Sequence, residues 1–182
     1  MDALFPLASL PTQISGRNRI WRRVVIDAIR KDPAWQGGNY QQQPPSLTTA
    51  SEMLMFMSSN SPLRQQQMPT VAASDAAIDA AVAAAYKSMD ANDFLYQLES
   101  SRDYDPAPGL ARIKAPLLAL NTADDLINPP ELQILEDGIK KVAKGRAIVL
   151  PLSPATRGHG SHTLASLWQD ELAKLLAQTA AR

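Results

Sequence analysis

Apolar and polar positions divide the chain into three stretches of different rhythm. The first opens with "ALFPLASL" (residues 3–10), a nearly continuous apolar run closed by Pro11. Such a run predicts a buried strand, weakened by Pro6, which cannot donate to a ladder. The pattern then turns helical over "SGRNRIWRRVVIDAIRKDP" (15–33), where Ile20, Trp21, Val24, Val25, Ala28 and Ile29 share one face and Arg22, Arg23, Asp27 and Arg30 lie elsewhere. Asp32-Pro33 ends the helix, because a residue before proline is pushed out of the helical region.

The second stretch has no strand signal. "WQGGNYQQQPPS" (35–46) predicts a loop, and "LTTASEMLMFMSS" (47–59) a helix with Leu47, Met53, Leu54, Phe56 and Met57 as its apolar contacts. "SPLRQQQMPTVAAS" (61–74) is predicted as a polar linker. The alanine-rich run from Ser74 to Tyr104 predicts two helices broken near Met89–Asn92, with Ser74 or Asp75 capping the first.

After "DPAPGLARIK" the rhythm changes again. "APLLALNT" (115–122) predicts a buried strand, "NPPELQILEDGIKKVAKG" (128–145) a helix, "RAIVLPL" (146–152) a second buried strand, and "SHTLASLWQDELAKLLAQTAAR" (161–182) a closing amphipathic helix. Alternating strands and helices of this kind make a parallel sheet covered by helices. The expected fold class is α/β, with core segments at 1–32 and 101–182 and a helical insertion, or lid, at 33–100. No internal repeat is present.

Composition narrows the functional classes. Eighteen Lys and Arg balance eighteen Asp and Glu among the 182 residues, so no net field attracts nucleic acid or an anionic membrane. No apolar run approaches the roughly 18 residues of a membrane span. The absence of cysteine excludes disulfides and thiolate metal sites. "MDALFPLASLP" lacks the basic start of a signal peptide and is expected to be mature structure, which leaves the cytoplasm as the default location.

Candidate chemistry gathers in two loops beyond strand ends, where function collects in open parallel sheets. "NTADDLINPP" places Asp124 and Asp125 after one predicted strand, and "SPATRGHGSH" places His159 and His162, the only histidines, after the next. An acid followed by a histidine on successive strands is the Asp…His part of a Ser…Asp…His order. A buried carboxylate fixes the imidazole tautomer while the other ring nitrogen takes the nucleophile's proton. Counting from the strand end favours Asp124; counting back from Pro129 favours Asp125. Each motif has a plainer reading as well, the acids as a helix cap and the histidine as a surface loop residue. No third ligand stands near the histidines, so no metal is expected.

At the level of motifs the chain resembles the homoserine O-acetyltransferase family, a branch of the α/β-hydrolase superfamily. The similar segments are "DALFPLASLPTQISGRNRIWRRVVIDAIRKDPAWQGGNY", "MDANDFLYQLESSRDYDPAPGLARIKAPLLAL" and "GHGSH". The resemblance implies Asp124 as the triad acid, His159 as general base, and His162 as the histidine that trails the catalytic one. It also implies a Gly-x-Ser-x-Gly nucleophile elbow, and no such motif occurs in the 182 residues. The chain is therefore expected to be the C-terminal part of a serine-dependent acyltransferase or hydrolase, inactive alone.

That family carries an arginine and, two turns later, a tyrosine on the first lid helix; here Ser51 and Ser58 stand in their places. A serine cannot replace an arginine–carboxylate fork, so homoserine is not the expected substrate. Met53, Phe56 and Met57, with Met55, could line an apolar acyl pocket, or simply pack helix against core. The arginines at 17, 19, 22 and 23 read as a solvated face. Expected partners are a small-molecule acyl donor and acceptor, with acyl-CoA as co-substrate in the transferase case, and no tightly held cofactor. Rival readings are a non-catalytic interaction module, and one half of a split enzyme that dimerises or pairs with a chain bearing the missing half.

Overall fold

The computed structural model describes residues 1–179. Contacts group the chain into two compact units. One contains Met1–Gln13, Ser58–Ser61 and the chain from Asp105 onward; the other contains Ile14–Met57 and Pro62–Tyr104.

The first unit is built on a parallel sheet. Strands β1 (Leu117–Thr122) and β2 (Gly145–Leu150) pair in parallel, Leu117 opposite Gly145 and Thr122 opposite Leu150. All six residues of β1 are buried, as expected for a central strand covered on both faces. The apolar run near the N-terminus lies along the other edge of β1 and meets it in two isolated parallel bridges, Leu4 to Leu117 and Leu7 to Leu120. The interruption has a definite cause. Leu4 N–H donates to Pro116 O at 2.9 Å and Ala8 N–H to Leu120 O at 2.9 Å, while Leu118 and Leu120 donate back to Leu4 O and Pro6 O. The one donor missing from that alternation is Pro6, which has no N–H. The predicted strand is thus present as an extended edge with a gap at its proline.

Leu110, Leu117, Ala119, Leu135 and Val142 form one core cluster of this unit, with Leu4, Ile113, Ile139 and Ala147 packed against it. The long helix expected over 128–145 is reduced to a 3-10 turn, Pro130–Leu132, and one short helix, Ile134–Ile139. Gln133, in the left-handed region at φ 54°, separates the two. The closing helix is also shorter than expected. Two 3-10 turns precede the helix Gln169–Thr179, and residues 180–182 of the predicted helix lie outside the described residues.

The second unit is helical, as the absence of strand signal predicts. Taken in chain order, α1 is Gly16–Lys31, α2 is Leu47–Ser58, α3 is Ser61–Gln67, α4 is Val71–Ser88 and α5 is Ala91–Glu99. The short helices of the first unit follow as α6 (Ile134–Ile139) and α7 (Gln169–Thr179). Helix α1, assigned from sequence to the core segment 1–32, packs on α5 and groups with the helical unit. Its buried stripe is Trp21, Val25, Ile26 and Ile29, whereas Ile20 and Val24 are exposed. The stretch 61–74 is not a linker but contains α3 and the start of α4. Helix α4 begins earlier than predicted because Thr70, not Ser74 or Asp75, caps it, accepting from Ala73 N–H at 3.1 Å. The predicted break falls at Met89–Asp90, where the Asp90 carboxylate caps α5.

The "DPAWQGGNY" loop has a structural reason for its composition. Gln36, Gly37 and Gly38 all have positive φ, which bends the chain back on itself. Trp35 Nε1–H then donates to Asn92 Oδ1 at 2.8 Å, and Asn92 Nδ2–H donates to Gly38 O at 3.0 Å. Tyr40 Oη–H and Gln43 Nε2–H both donate to Asp90 Oδ2, at 2.7 and 2.8 Å. One dipolar latch at the start of α5 thereby holds the whole loop.

Candidate active site

The site lies within the sheet unit, at the carboxyl ends of β1 and β2. Beyond β1 the backbone turns sharply, Asp125 N–H donating to Thr122 O at 3.2 Å. The Asp125 carboxylate closes that turn from inside. Its Oδ1 accepts from Ile127 N–H at 2.8 Å and from Asn128 N–H at 3.0 Å, leaving Oδ2 for another partner. That partner is His159, whose Nδ1 stands 3.0 Å from Asp125 Oδ2.

Burial decides what this contact can do. The Asp125 side chain is 0% exposed, while that of His159 is 23% exposed. An ionised carboxylate only accepts, so the contact fits the neutral tautomer with the proton on Nδ1 and Nε2 as the acceptor nitrogen. Among the described residues no hydroxyl hydrogen-bonds His159. Ser161, two positions on, is buried and its Oγ accepts from Arg157 N–H at 2.8 Å, which ties it into the turn.

Asp124 does something else. Counting from the strand end put it first as partner for the histidine, but the imidazole Nδ1 meets Asp125 instead. The physical reason is the turn: the bond from Asp125 N–H to Thr122 O curls the chain so that Asp125 faces inward under β2's loop. Asp124 Oδ2 instead accepts from Gly158 N–H at 2.8 Å and from Asn60 Nδ2–H at 2.7 Å. Asn60 is itself buried and gives a second bond to Thr156 O at 2.9 Å.

Burial alone would push the Asp124 carboxyl up, but the Gly158 amide, the Thr122 and Thr156 hydroxyls and the Asn60 amide outweigh it and hold the group below its ordinary value. The two N–H groups are the donors placed at Oδ2. Both hydroxyls direct their protons elsewhere, Thr122 to Gly158 O and Thr156 to Ser153 O, so Oδ1 stays buried without a hydrogen bond. The Gly158 and Asn60 N–H groups thus hold the anion.

His162 supports the loop from behind. Its Nδ1 lies 2.6 Å from His159 O, and its own carbonyl accepts from Trp168 Nε1–H at 3.0 Å. The two imidazoles meet edge to face, centroids 5.1 Å apart. A cavity of about 10 Å³, the volume of roughly one water, lies among Ala8, Thr122, Gly158, His159 and His162. Among the described residues no three His, Asp or Glu side chains converge as a metal site.

Sequence reasoning missed Asn60, Thr122 and Thr156. "SSNSP" carries no motif, and only the fold brings Asn60 to the histidine loop. Met53, Phe56 and Met57 belong to the helical unit. Met57 is buried, with Arg17 Nη2 3.6 Å from its sulfur, Met53 is half-buried, and Phe56 is 66% exposed.

No family model and no curated protein matches the chain. Solved structures do, and they are α/β-hydrolases: the chain has that fold. Among those similar to it are homoserine O-acetyltransferase from Bacillus anthracis (TM-score 0.81, 19% identity) and esterase E22 (TM-score 0.82, 17% identity). A third is an acetylester hydrolase from Corynebacterium glutamicum (TM-score 0.77, 15% identity). They cover 97%, 97% and 98% of this chain, and it covers 53%, 54% and 54% of theirs. The chain thus spans about half the length of the structures it matches. At these identities the likeness establishes the fold alone. Among the described residues no helix is long and apolar enough to cross a membrane.

Proposed function

We propose that this chain supplies the acid and the base of a Ser–Asp–His acyl-transfer site, with Asp125 as acid and His159 as base. The observation that carries the reading is the 3.0 Å contact between His159 Nδ1 and a wholly buried Asp125 carboxylate, with the imidazole partly open to solvent. In this reading Nε2 takes the proton of a serine hydroxyl as the hydroxyl attacks an acyl carbonyl. The imidazolium that forms is stabilised by Asp125 and returns its proton to the leaving alcohol or thiol. Water or a second alcohol then takes the acyl group from the serine by the same proton path.

The serine and its oxyanion hole belong, on this proposal, to polypeptide outside the 182 residues, on a Gly-x-Ser-x-Gly elbow that the sequence does not contain. The substrate class is a small acyl ester or thioester. The serines at 51 and 58 favour an acceptor other than homoserine. Acyl-CoA is the donor if the enzyme is a transferase, and the helical insertion at 33–100 serves as the lid.

The deciding experiment isolates the native polypeptide carrying "TRGHGSH" from its source cells and measures its intact mass. The same material is then assayed for fluorophosphonate labelling, acetyl-ester hydrolysis and acetyl transfer. A labelled species that turns over an ester, whether a longer chain or a complex, supports the proposal. A species that neither labels nor turns over any acyl substrate sinks it.

A further inference from the structure

The two adjacent carboxylates of the acid loop divide the work at the histidine. Asp125 holds the imidazole; Asp124 never touches it, but holds the backbone from which it hangs. The residue before His159 is Gly158, and its peptide groups are secured on both sides. Its N–H donates to Asp124 Oδ2 at 2.8 Å, and its carbonyl accepts from Thr122 Oγ1–H at 3.2 Å. Both anchoring residues stem from the end of β1, the strand that also launches Asp125.

Asn60 widens the attachment. One amide nitrogen donates to Asp124 Oδ2 and to Thr156 O, tying the carboxylate to the histidine loop two residues ahead of Gly158. Gly158 has φ +57°, and a Cβ there would lie 2.9 Å from the backbone carbon of Ser59, so the loop is packed against the Asn60 segment as well as bonded through it. Displacement of Gly158 by a fraction of an ångström would swing Nδ1 away from Asp125, and placement errors of that scale are what a proton-transfer geometry does not tolerate.

We propose that Asp124 is a positioning residue for His159, acting through the Gly158 amide and Asn60 to set the imidazole against Asp125. The inference rests on the triad reading and adds a fourth group to it. It also gives the "DD" pair a physical meaning: one carboxylate for the ring, one for the loop.

With only two histidines, the chain is suited to NMR after histidine labelling. The readout is the downfield Nδ1 proton of His159, which exists only while the bond to Asp125 holds. Asp124→Ala is expected to broaden that proton beyond detection, with circular dichroism unchanged. Asp124→Asn keeps an oxygen for the Gly158 amide and is expected to retain the resonance. Loss of the signal in both variants alike would mean that charge alone matters and would overturn positioning.

A resonance that survives Asp124→Ala overturns the inference and leaves the triad reading standing. A resonance that survives Asp125→Ala, which leaves no acceptor for Nδ1–H, overturns the triad reading itself. Should Asp124→Ala fail to fold, amide exchange in the unaltered chain decides. A protected Gly158 N–H is expected, and exchange at the rate of a free amide overturns the proposal.

Discussion

The sheet unit and the helical unit solve one problem with the same part and to different ends. Each must pin a glycine-containing loop, and each does so with an aspartate set at a turn. In the helical unit Asp90 Oδ2 accepts from Tyr40 and Gln43 and its Oδ1 from Asn92 N–H and Asp93 N–H, so all its capacity goes to capping α5 and tying the loop to it. In the sheet unit the task is shared. Asp124 takes the loop amide, and Asp125 is left with one oxygen for an imidazole whose second nitrogen remains available. A carboxylate bonded only to amides and hydroxyls makes a latch; on the proposed reading, one whose oxygen meets an imidazole makes a reactive pair. What separates the two is the partner each carboxylate meets, not the residue type.

The sharpest way to break this comparison is through activity. On the proposed function, His159→Ala is expected to lower kcat by about a million-fold and Asp125→Asn by about ten-thousand-fold, whereas His162→Ala keeps most of it. Equal losses at positions 159 and 162 in ester turnover would reverse the assignment. Next in size is Gly158→Ala, expected to destabilise by about 3 kcal/mol through left-handed strain and overlap with Ser59, read as a shift in urea midpoint. Asp90→Ala follows at about 2 kcal/mol, the cost of leaving several donors without their acceptor. It should leave the His159 Nδ1 proton in place; a change there would dissolve the distinction between latch and reactive pair.

The smallest effect is that of pH, and it is common to both regions. Asp124 and Asp90 are each held below the ordinary carboxylate value despite burial, Asp124 by the Gly158 amide and Asn60, Asp90 by Tyr40, Gln43 and the α5 amides. A depressed folded pKa means that the unfolded chain binds the proton more readily. The stabilisation is therefore complete above the unfolded value of about 3.9 and is lost as pH falls through the folded one. Urea midpoints should be flat with respect to these groups from neutral pH to about pH 5 and decline below about pH 4, with Asp124→Asn showing a shallower decline.

Much of the fold was legible because it rests on local signals. The apolar runs at 117–122 and 145–150 become strands, and Pro6 marks the gap in the edge pairing. Residues in the two loops that meet at the site were legible too, since the strand-end rule depends only on order along the chain. The choice between Asp124 and Asp125 was not. Adjacent residues at a strand end face opposite ways, and a turn bond to Thr122 O, invisible in residue types, decides which one faces inward. Asn60 was illegible for a different reason: it reaches Thr156 across 96 positions, and nothing local to "SSNSP" marks it. Helix ends failed where a single side chain, Thr70, overrode the composition around it.

The packing at Gly158 carries an evolutionary corollary. Its missing Cβ is opposed by the Ser59 backbone carbon at 2.9 Å and the Ser59 and Ser58 carbonyl oxygens at 3.0 and 3.1 Å, not by any side chain. No replacement at residue 58 or 59 can trim a main-chain atom, so no partner mutation at those positions can rescue a larger residue at 158. Among descendants of this chain that keep the loop, position 158 should stay glycine whatever happens to the two serines, and the pair should show invariance on one side and drift on the other.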